Sequence, residues 1–505
     1  LVRRLGLLIV VLSLLAGVVP AARATSDDGL RPLHVESRRI VDDTGRTVLL
    51  RGVNVNQLGD YFQGNPAVPA TLPFSRADLE QIAALGMNSV RLLVHWSRLE
   101  PQPGVRDDAY LAQIREAVTW AAELGIYVVL DMHQDAWGKY IATSPTTACR
   151  APLSPNIGWD GAPEWATLTD GLKRCKLALR EASPAAAQAW QSFWIDRPGP
   201  DGVGIQQHFV DTWRWLAAAF KDDPTVVGYD ILNEPNPGWV LSVTEATSLG
   251  ELHRRSLEAI RAGEVGGRTK IVFFEPLATW SAVSVGVPRP WTLDSQIVFA
   301  PHIYAGSITA DRSITGREVI TIRDGFAEAK REAKVYGAPF WVGEWGHFGG
   351  DAEYVRRFAA LEDEFQVGSA IWQWKQACGD PHGVSWPSGA TPSRSGHVVL
   401  VRCGDPDEPA GVVIGLDEGF ARVLSRPYPR AFPGEATFVS DPLARTLRIS
   451  GRGGQGSGPL EVWFPSATAP IVWAAGLSAP TVAPRDGGWL VEASPVAPVW
   501  SLSLR

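Results

Sequence analysis

Two glutamates in this chain close strand-like apolar stretches in the same way. The run Gly228-Tyr229-Asp230-Ile231-Leu232-Asn233-Glu234-Pro235 reads as a buried strand, Val226 to Leu232, that stops on Asn233-Glu234. Pro235 has no N–H to donate and ends sheet pairing there. The run Pro339-Phe340-Trp341-Val342-Gly343-Glu344-Trp345-Gly346 ends in the same manner at Glu344. A carboxyl at the C-terminal end of a strand, where the strand opens into a loop, is placed to meet a ligand. Two such carboxyls facing each other across a cleft are what glycoside hydrolysis requires, one as acid/base and one as nucleophile. The competing reading of each is a surface glutamate at a strand end. Glu275-Pro276 and Asp131 are further strand-end acids, so a different pairing of carboxyls stays open.

Other polar residues stand where strands end: Arg91, His133, Asp135, Asn233, His302, Tyr304 and Trp372. The acid/base must hold a proton near neutral pH while the nucleophile is ionised. A cation and a phenol favour the ionised form, which makes Arg91 and Tyr304 candidate stabilisers of Glu344. The charge on Glu344 would hold Glu234 neutral, and Asn233 can orient a substrate without ionising. Each residue also has a structural reading. Arg91 could serve a buried salt bridge, His133 and His302 could be satisfied core histidines, Asp135 a cap or turn, and Trp372 core rather than a stacking platform.

These residues need elements to position them. Strand-like runs begin near Val48, Ser89, Tyr127, Val226, Ile271, Ile297, Phe340 and Ser369. Between them lie helical patterns over Arg76–Leu85, Asp108–Leu124, Ile205–Phe220, Leu249–Ala262, Arg317–Tyr336 and Ala352–Phe365. Strands of near-continuous apolar character fit a parallel sheet buried on both faces. Eight β–α units predict an α/β protein built on a (β/α)8 TIM barrel, whose sites sit at the C-terminal strand ends. A doubly wound open sheet is the rival, but no Gly-rich phosphate loop follows the first strand. From Ala136 to about Gly204 the pattern dissolves into Pro, Gly, Trp and Ser, with a short helix near Ala185–Phe193. A connection of that length usually has a function. At the start, Leu33–Val41 and Val48–Val53 read as two strands joined by the turn Asp42-Asp43-Thr44-Gly45. After about Pro433, helical periodicity gives way to short alternating runs at Arg445–Ser450, Leu460–Phe464, Trp489–Ala493 and Val499–Leu504. The expected division is a catalytic barrel over residues 30–430 and an all-β sandwich over 431–505, read as a buttress rather than a sugar-binding module because it has few aromatics.

The chain has 505 residues, 45% of them hydrophobic, enough for one large domain and a small one. The net charge is −7 with both signs scattered and no Lys/Arg cluster, which argues against nucleic acid as a partner. The 21 tryptophans suit a sugar cleft, although most are expected in the core. Arg3-Arg4, the apolar run Leu5–Val19 and Ala22-Arg23-Ala24 read as a secretory signal over residues 1–24. Leu1 in place of Met suggests an alternative bacterial start codon, so a secreted bacterial protein is expected. Four cysteines in such a protein favour disulfides. Three pairings are open, and Cys149–Cys175 with Cys378–Cys403 is preferred because each closes a local loop. Neither spacing resembles a metal site. A monomer in transient contact with a membrane surface is the expected state.

The set Arg91, His133, Asn233-Glu234-Pro235, His302-x-Tyr304, Glu344 and Trp372, in this order, resembles glycoside hydrolase family 5. Leu130-Asp131-Met132-His133-Gln134-Asp135, Gly161-Ala162-Pro163-Glu164-Trp165-Ala166 and Arg426-Pro427-Tyr428-Pro429-Arg430-Ala431-Phe432-Pro433-Gly434 resemble the bacterial endoglycoceramidases more narrowly. The resemblance implies a retaining enzyme that cleaves the β-glycosidic bond between oligosaccharide and ceramide, with no metal and no cofactor. By the matched motifs Glu234 would be acid/base and Glu344 nucleophile. Asn233 would hold the sugar 2-hydroxyl, His302 and Tyr304 would flank the nucleophile, and His133 and Asp135 would contact the sugar. Trp165 and Trp372 would complete the binding set. Two departures stand out. Where the family offers a lysine after Arg51-Gly52, Val55–Tyr61 has none and Asp60 stands near the place. A Cys-bounded insertion also follows Trp372, from Cys378 to Cys403. A related glycosidase acting on a β-glucan, a β-mannan or a simpler glycolipid is the first alternative, and a catalytically dead glycan- or lipid-binding protein the second. A ceramide would need an apolar groove, and several of Trp137, Trp165, Trp239, Trp280, Trp345, Phe348 and Trp374 are expected to line it.

Overall fold

The structure, a computed structural model, describes residues 29–144, 146–177, 180–280, 289–304, 321–346, 352–382, 394–396 and 398–505. The expected signal segment and Phe348 lie outside the described residues. Among those described, no helix is long and apolar enough to cross a membrane.

Among the described residues, three short strands come first: β1 (Leu33–Glu36), β2 (Arg39–Asp42) and β3 (Thr47–Val48). The barrel strands follow: β4 (Arg51–Val55), β5 (Ser89–His95), β6 (Tyr127–His133), β7 (Val226–Asp230), β8 (Ile271–Phe274), β9 (Ile297–Phe299), β10 (Val342–Trp345) and β11 (Ser369–Ile371). They form an eight-stranded sheet in the order β10-β11-β4-β5-β6-β7-β8-β9. Parallel bridges Phe299–Phe340 and His302–Glu344 join β9 to β10 and close the ring. This is the expected (β/α)8 barrel. Its first strand begins at Arg51 rather than near Val48, because Val48 belongs to a different sheet.

Helices over Arg76–Ala84, Asp108–Glu123, Ile205–Phe220, Leu249–Gly263, Ile322–Tyr336 and Ala352–Phe365 cover the barrel. Their ends follow local chemistry. Thr321 Oγ1 accepts from the Asp324 N–H at 3.2 Å, and the Asp324 carboxylate accepts from the Thr321 N–H at 3.1 Å, a reciprocal cap. Inside the ring, Val129, Val227, Phe273, Val298, Trp341 and Ala370 pack an apolar floor. Alternate residues of a strand point the same way. Val129, Asp131 and His133 on β6 therefore climb from that floor to a polar upper layer.

A three-stranded sheet follows the barrel, made of β12 (Arg394–Gly396), β13 (Val399–Arg402) and β14 (Val412–Leu416). Then come β15 (Tyr428–Phe432), β16 (Glu435–Asp441), β17 (Thr446–Arg452), β18 (Leu460–Phe464), β19 (Val472–Ala475), β20 (Thr481–Arg485), β21 (Gly488–Ala493) and β22 (Val499–Leu504). Their two sheets run β1-β2-β3-β15-β18-β21-β20 and β16-β17-β22-β19. Phe432, Phe438, Ile449, Val462, Trp500 and Leu502 fill the space between them. The sandwich therefore draws strands from both ends of the chain. The expected boundary at residue 431 falls inside β15, where Ala431 pairs with Val48. The single strand expected over Leu33–Val41 is a hairpin, turned by Ser37 and Arg38 at φ of 50° and 58°. Positive φ at both turn residues matches the twist of the strands, but neither is the Gly or Asn that would have marked it.

Sandwich and barrel are pinned together. The Tyr428 hydroxyl donates to the Gly86 carbonyl at 2.9 Å, and the Arg51 guanidinium lies 4.7 Å over the Tyr428 ring while pairing with Asp363 at 2.7 Å. Gly86 has φ of 81°, and a Cβ there would meet the Trp463 indole at 2.0 Å, so this approach requires glycine.

The disulfides are Cys149–Cys175 and Cys378–Cys403, the preferred pairing, spanning 26 and 25 positions. In the chain-entropy model, closing a loop of this size contributes on the order of 3 kcal/mol. Replacing Cys149 and Cys175 by serine is expected to lower unfolding stability by about that amount in a denaturant titration, with the Cys378–Cys403 peptide still recovered under non-reducing conditions.

Candidate active site

Arg91, on β5, points into the barrel and is wholly buried. Its Nη1 donates to Glu344 at 2.7 Å and to Asn54 at 3.0 Å. Its Nη2 donates to Glu275 at 2.8 Å and to Asn233 at 3.1 Å, and lies 2.9 Å from Asp131. Its Nε donates to Asp230 at 3.0 Å. One guanidinium thus ties together residues from β4, β5, β6, β7, β8 and β10. Burial, and then the nearby charge of Glu275, push Asp230 well above the usual carboxylate range, against the pull of Arg91.

The strand that carries Glu234 is clamped at its end. Gln134 Nε2 donates to the Asn233 and Glu234 carbonyls at 2.6 and 3.0 Å, and the Asn233 amide donates back to the Gln134 carbonyl at 3.0 Å. The Glu234 N–H donates to Glu275 at 2.8 Å. These bonds hold Glu234 in the left-handed region, at φ of 41°, a conformation that costs energy and collects at functional sites. Its side chain meets His302 Nδ1 at 2.9 Å and Arg180 Nη2 at 3.3 Å. Burial, opposed by His302, pushes its pKa up to about 7. Glu344 has the other environment: Arg91 on one oxygen and the Tyr304 hydroxyl, donating at 3.0 Å, on the other. His302 spans the two, with Nδ1 3.5 Å from Glu344 and Nε2 3.2 Å from Glu275. Burial opposes a charge on His302, but Glu275 and Glu344 outweigh it and raise its pKa well above that of a free imidazole. Oxygens of Glu234 and Glu344 lie within 4.8 Å of each other.

A second group forms one wall. His133 Nδ1 contacts Asp131 at 2.7 Å, and its ring stacks on Trp372 at 5.3 Å. Asp135 receives Arg180 at 2.5 Å and His382 at 3.1 Å, with His133 Nε2 at 3.6 Å. Burial opposes the Asp135 charge, yet Arg180 and the two imidazoles hold its carboxyl well below the usual range. His382 is pushed up to about 10; burial opposes the shift, and Asp380 and Asp135 dominate it. Lys139 pairs with Asp60 at 2.7 Å, so a lysine from the long connection meets the aspartate that stands where the resemblance led us to expect a lysine.

The structure thus brings together Arg91, His133, Asp135, Asn233, Glu234, His302, Tyr304, Glu344 and Trp372. Trp165 is set apart from them. Its indole N–H donates to the Glu100 carbonyl, and its ring packs on Trp96 and His208. The expected aromatic groove is also corrected. Trp137, Trp280, Trp345 and Trp374 are buried in the core between barrel and helices; Trp345, on β10, stacks on Phe358 of the helix Ala352–Phe365. Trp239 is exposed. Sequence reasoning missed Arg180, His382 and Gln134, and kept Glu275 only as a rival acid.

Three groups here have donor atoms within 4.8 Å of one another, as metal ligands do: Glu234, His302 and Glu344; His133, Asp135 and Asp160; Asp131, Asp230 and Glu275. Side chains already supply the counter-charge, with Arg91 against the first and third and Arg180 and His382 against the second. A divalent ion would have to sit beside a guanidinium.

The family model described as Cellulase (glycosyl hydrolase family 5) matches residues 41–378. The crystal structure of endogalactoceramidase is 44% identical, with a TM-score of 0.85, over 94% of this chain and 100% of that one. The lactosyl-enzyme intermediate of endo-glycoceramidase II from Rhodococcus sp. is 26% identical, with a TM-score of 0.69, over 92% and 99%. An endoglycoceramidase of Cyanea nozakii is 26% identical over 337 residues, and the match spans 59% of this chain and 62% of that protein.

The raised pKa of Glu234 has a thermodynamic cost. A carboxyl that titrates near 4.5 when unfolded and near 7 when folded binds more protons in the native state between those values. Stability contributed by this group therefore falls as pH rises from about 4.5 to about 7. Glu234→Gln removes that loss. The variant is expected to gain stability relative to the parent across that window in denaturant titrations, and to show no such gain below pH 4.

Proposed function

The chain belongs to glycosyl hydrolase family 5, and we propose that it hydrolyses the β-glycosidic bond between a saccharide and ceramide by double displacement, with retention of configuration. One observation carries the mechanism: two glutamates with oxygens within 4.8 Å sit in opposite environments. Retaining enzymes place their carboxyls about 5–5.5 Å apart, and inverting ones leave more room for a water. Glu344, fixed by Arg91 and Tyr304, attacks the anomeric carbon. Glu234 gives its proton to the departing ceramide oxygen. The C–O bond to the aglycone breaks as the ester to Glu344 forms. Glu234, now a carboxylate, takes a proton from water, whose oxygen displaces Glu344 and restores the β-anomer. Asn233, oriented by Arg91 and Gln134, faces the sugar, and His133, Asp135 and Trp372 provide its wall.

The ceramide part of the proposal is supported by the similarity to ceramide-releasing glycosidases and by surface chemistry in the segment that follows Glu234 in the chain. The segment after β7 exposes Trp239, Val240 and Val243 to solvent. An exposed apolar patch of this kind suits a lipid surface. The two disulfides fit an oxidising compartment, and we read the protein as secreted. The family model's own description, Cellulase, favours a β-glucan as the second reading.

Three outcomes are expected. With a soluble aryl β-glycoside whose poor leaving group needs protonation, kcat/KM falls as pH rises through about 7, because the acid form of Glu234 is lost there; a flat profile to pH 9 contradicts the acid role. Glu344→Ala abolishes turnover and, with azide and a good leaving group, yields an α-glycosyl azide, while Glu234→Ala yields the β-anomer. The reverse pattern means that the roles are exchanged. Trp239→Ala raises KM for a glycosylceramide by about tenfold, about 1.4 kcal/mol, and leaves the aryl glycoside unchanged. Good hydrolysis of β-glucan with none of glycolipid overturns the ceramide reading.

A further inference from the structure

The mechanism above leaves one buried cation without a role. Arg180 comes from the long connection between β6 and β7, just beyond the loop closed by Cys149–Cys175. Its carbonyl accepts from the Asn156 amide at 2.9 Å, and the same amide holds Ser183, the cap of the helix Pro184–Trp194. Its guanidinium lies 4.0 Å over the Trp159 ring and reaches Asp135 at 2.5 Å and Glu234 at 3.3 Å. The backbone anchor, the indole face, Asp135 and the adjacent Glu181, which pairs with the guanidinium Nε, fix where the cation stands, and Glu234 is the partner that changes charge.

The charged groups facing Glu234 come from four elements. His302 follows β9, Glu275 follows β8, Glu344 lies on β10, and Arg180 comes from the connection; Asp135 stands behind Arg180 and Tyr304 beside Glu344. In the free enzyme the cations and Glu344 act on Glu234 in opposite directions. Once Glu344 is esterified its charge is gone, and His302 and Arg180 act on Glu234 without that opposition. This is the stage at which Glu234 must be an anion to accept the proton of water.

We propose that Arg180 is a positioning residue for Glu234, holding its carboxylate in place and favouring its anionic form while the glycosyl–enzyme awaits water. The inference rests on the double-displacement reading. A merely structural Arg180 would affect rate or folding but not the ionisation of Glu234.

The test uses an aryl β-glycoside whose leaving group makes deglycosylation limiting, so that the acidic limb of kcat reports Glu234 in the intermediate. An opposite charge within ~4–6 Å lowers a carboxyl pKa by about 1–3 units. Arg180→Met is therefore expected to move that limb up by about one unit, with kcat reduced more than kcat/KM. Arg180→Lys is expected to restore the wild-type limb. A uniform loss of rate with an unmoved limb overturns the proposal, as does a lysine variant that behaves like the methionine variant. If Arg180→Met fails to fold, Arg180→Gln takes its place. Titration of the Glu234 carboxyl by 13C NMR, assigned as the signal lost in Glu234→Gln, needs no turnover. An upward shift in Arg180→Met supports the proposal and identical titrations overturn it. A wild-type protein that turns over no β-glycoside counts against the glycosidase reading alone.

Discussion

The architecture of this site depends on a single cation kept out of water. Arg91 is wholly buried, and a lone guanidinium there would carry a desolvation cost of several kcal/mol. It is tolerable because carboxyls from four other strands or their ends, Asp131, Asp230, Glu275 and Glu344, converge on it. The constraint runs both ways. The carboxyls could not crowd into an apolar barrel without the cation, and even beside it burial and their mutual repulsion raise the pKa of Asp230. The strand ends that form the active face are thereby fixed relative to one another by the group that also fixes the proposed nucleophile.

From that constraint follows the inequality of the two glutamates. Glu344 shares the central cation, while Glu234 lies one layer farther out, in a strained backbone conformation, and depends on His302 and Arg180. Identical side chains acquire different affinities for a proton from their surroundings alone. His302 touches both and Glu275 as well, so a change of charge on any carboxyl is felt by the others through one imidazole.

Much of this was legible in the sequence. The barrel strands are short apolar runs, each followed by a polar residue or a turn, and this periodicity survives in a single chain. The residues at their ends, from His133 to Trp372, are readable because their position along the strand places them; Arg91, read as a strand-end residue, instead lies near the start of β5, opposite Val129, and reaches up from there. Arg180 and His382 are not readable in that way. They lie in aperiodic stretches rich in Pro, Gly and Trp, Arg180 just beyond the Cys149–Cys175 loop and His382 just inside the Cys378–Cys403 loop, and both reach Asp135. The tryptophans after the strands misled for the opposite reason. Their number is visible, but whether an indole faces the cleft or the helix layer depends on how the loop returns. Ser37-Arg38 turns a hairpin without the residues that usually announce one. On its other side from β2, β3 pairs with β15, where Val48 meets Ala431, far beyond any local pattern.

That last pairing bears on how the molecule is made. β1, β2 and β3 are the first described strands to be synthesised, yet the edge of β3 stays open until β15 arrives. Arg39, which donates to Thr47 within this opening segment, gains its second acceptor, the Gly434 carbonyl, only at the same late stage, 395 positions on. The nascent chain must therefore carry an unpaired edge, a template for wrong association, through the synthesis of the entire barrel. Contacts so distant in sequence also slow folding. The two termini act as a latch that closes last, and fragments cut at residue 430 would be neither a finished barrel nor a finished sandwich.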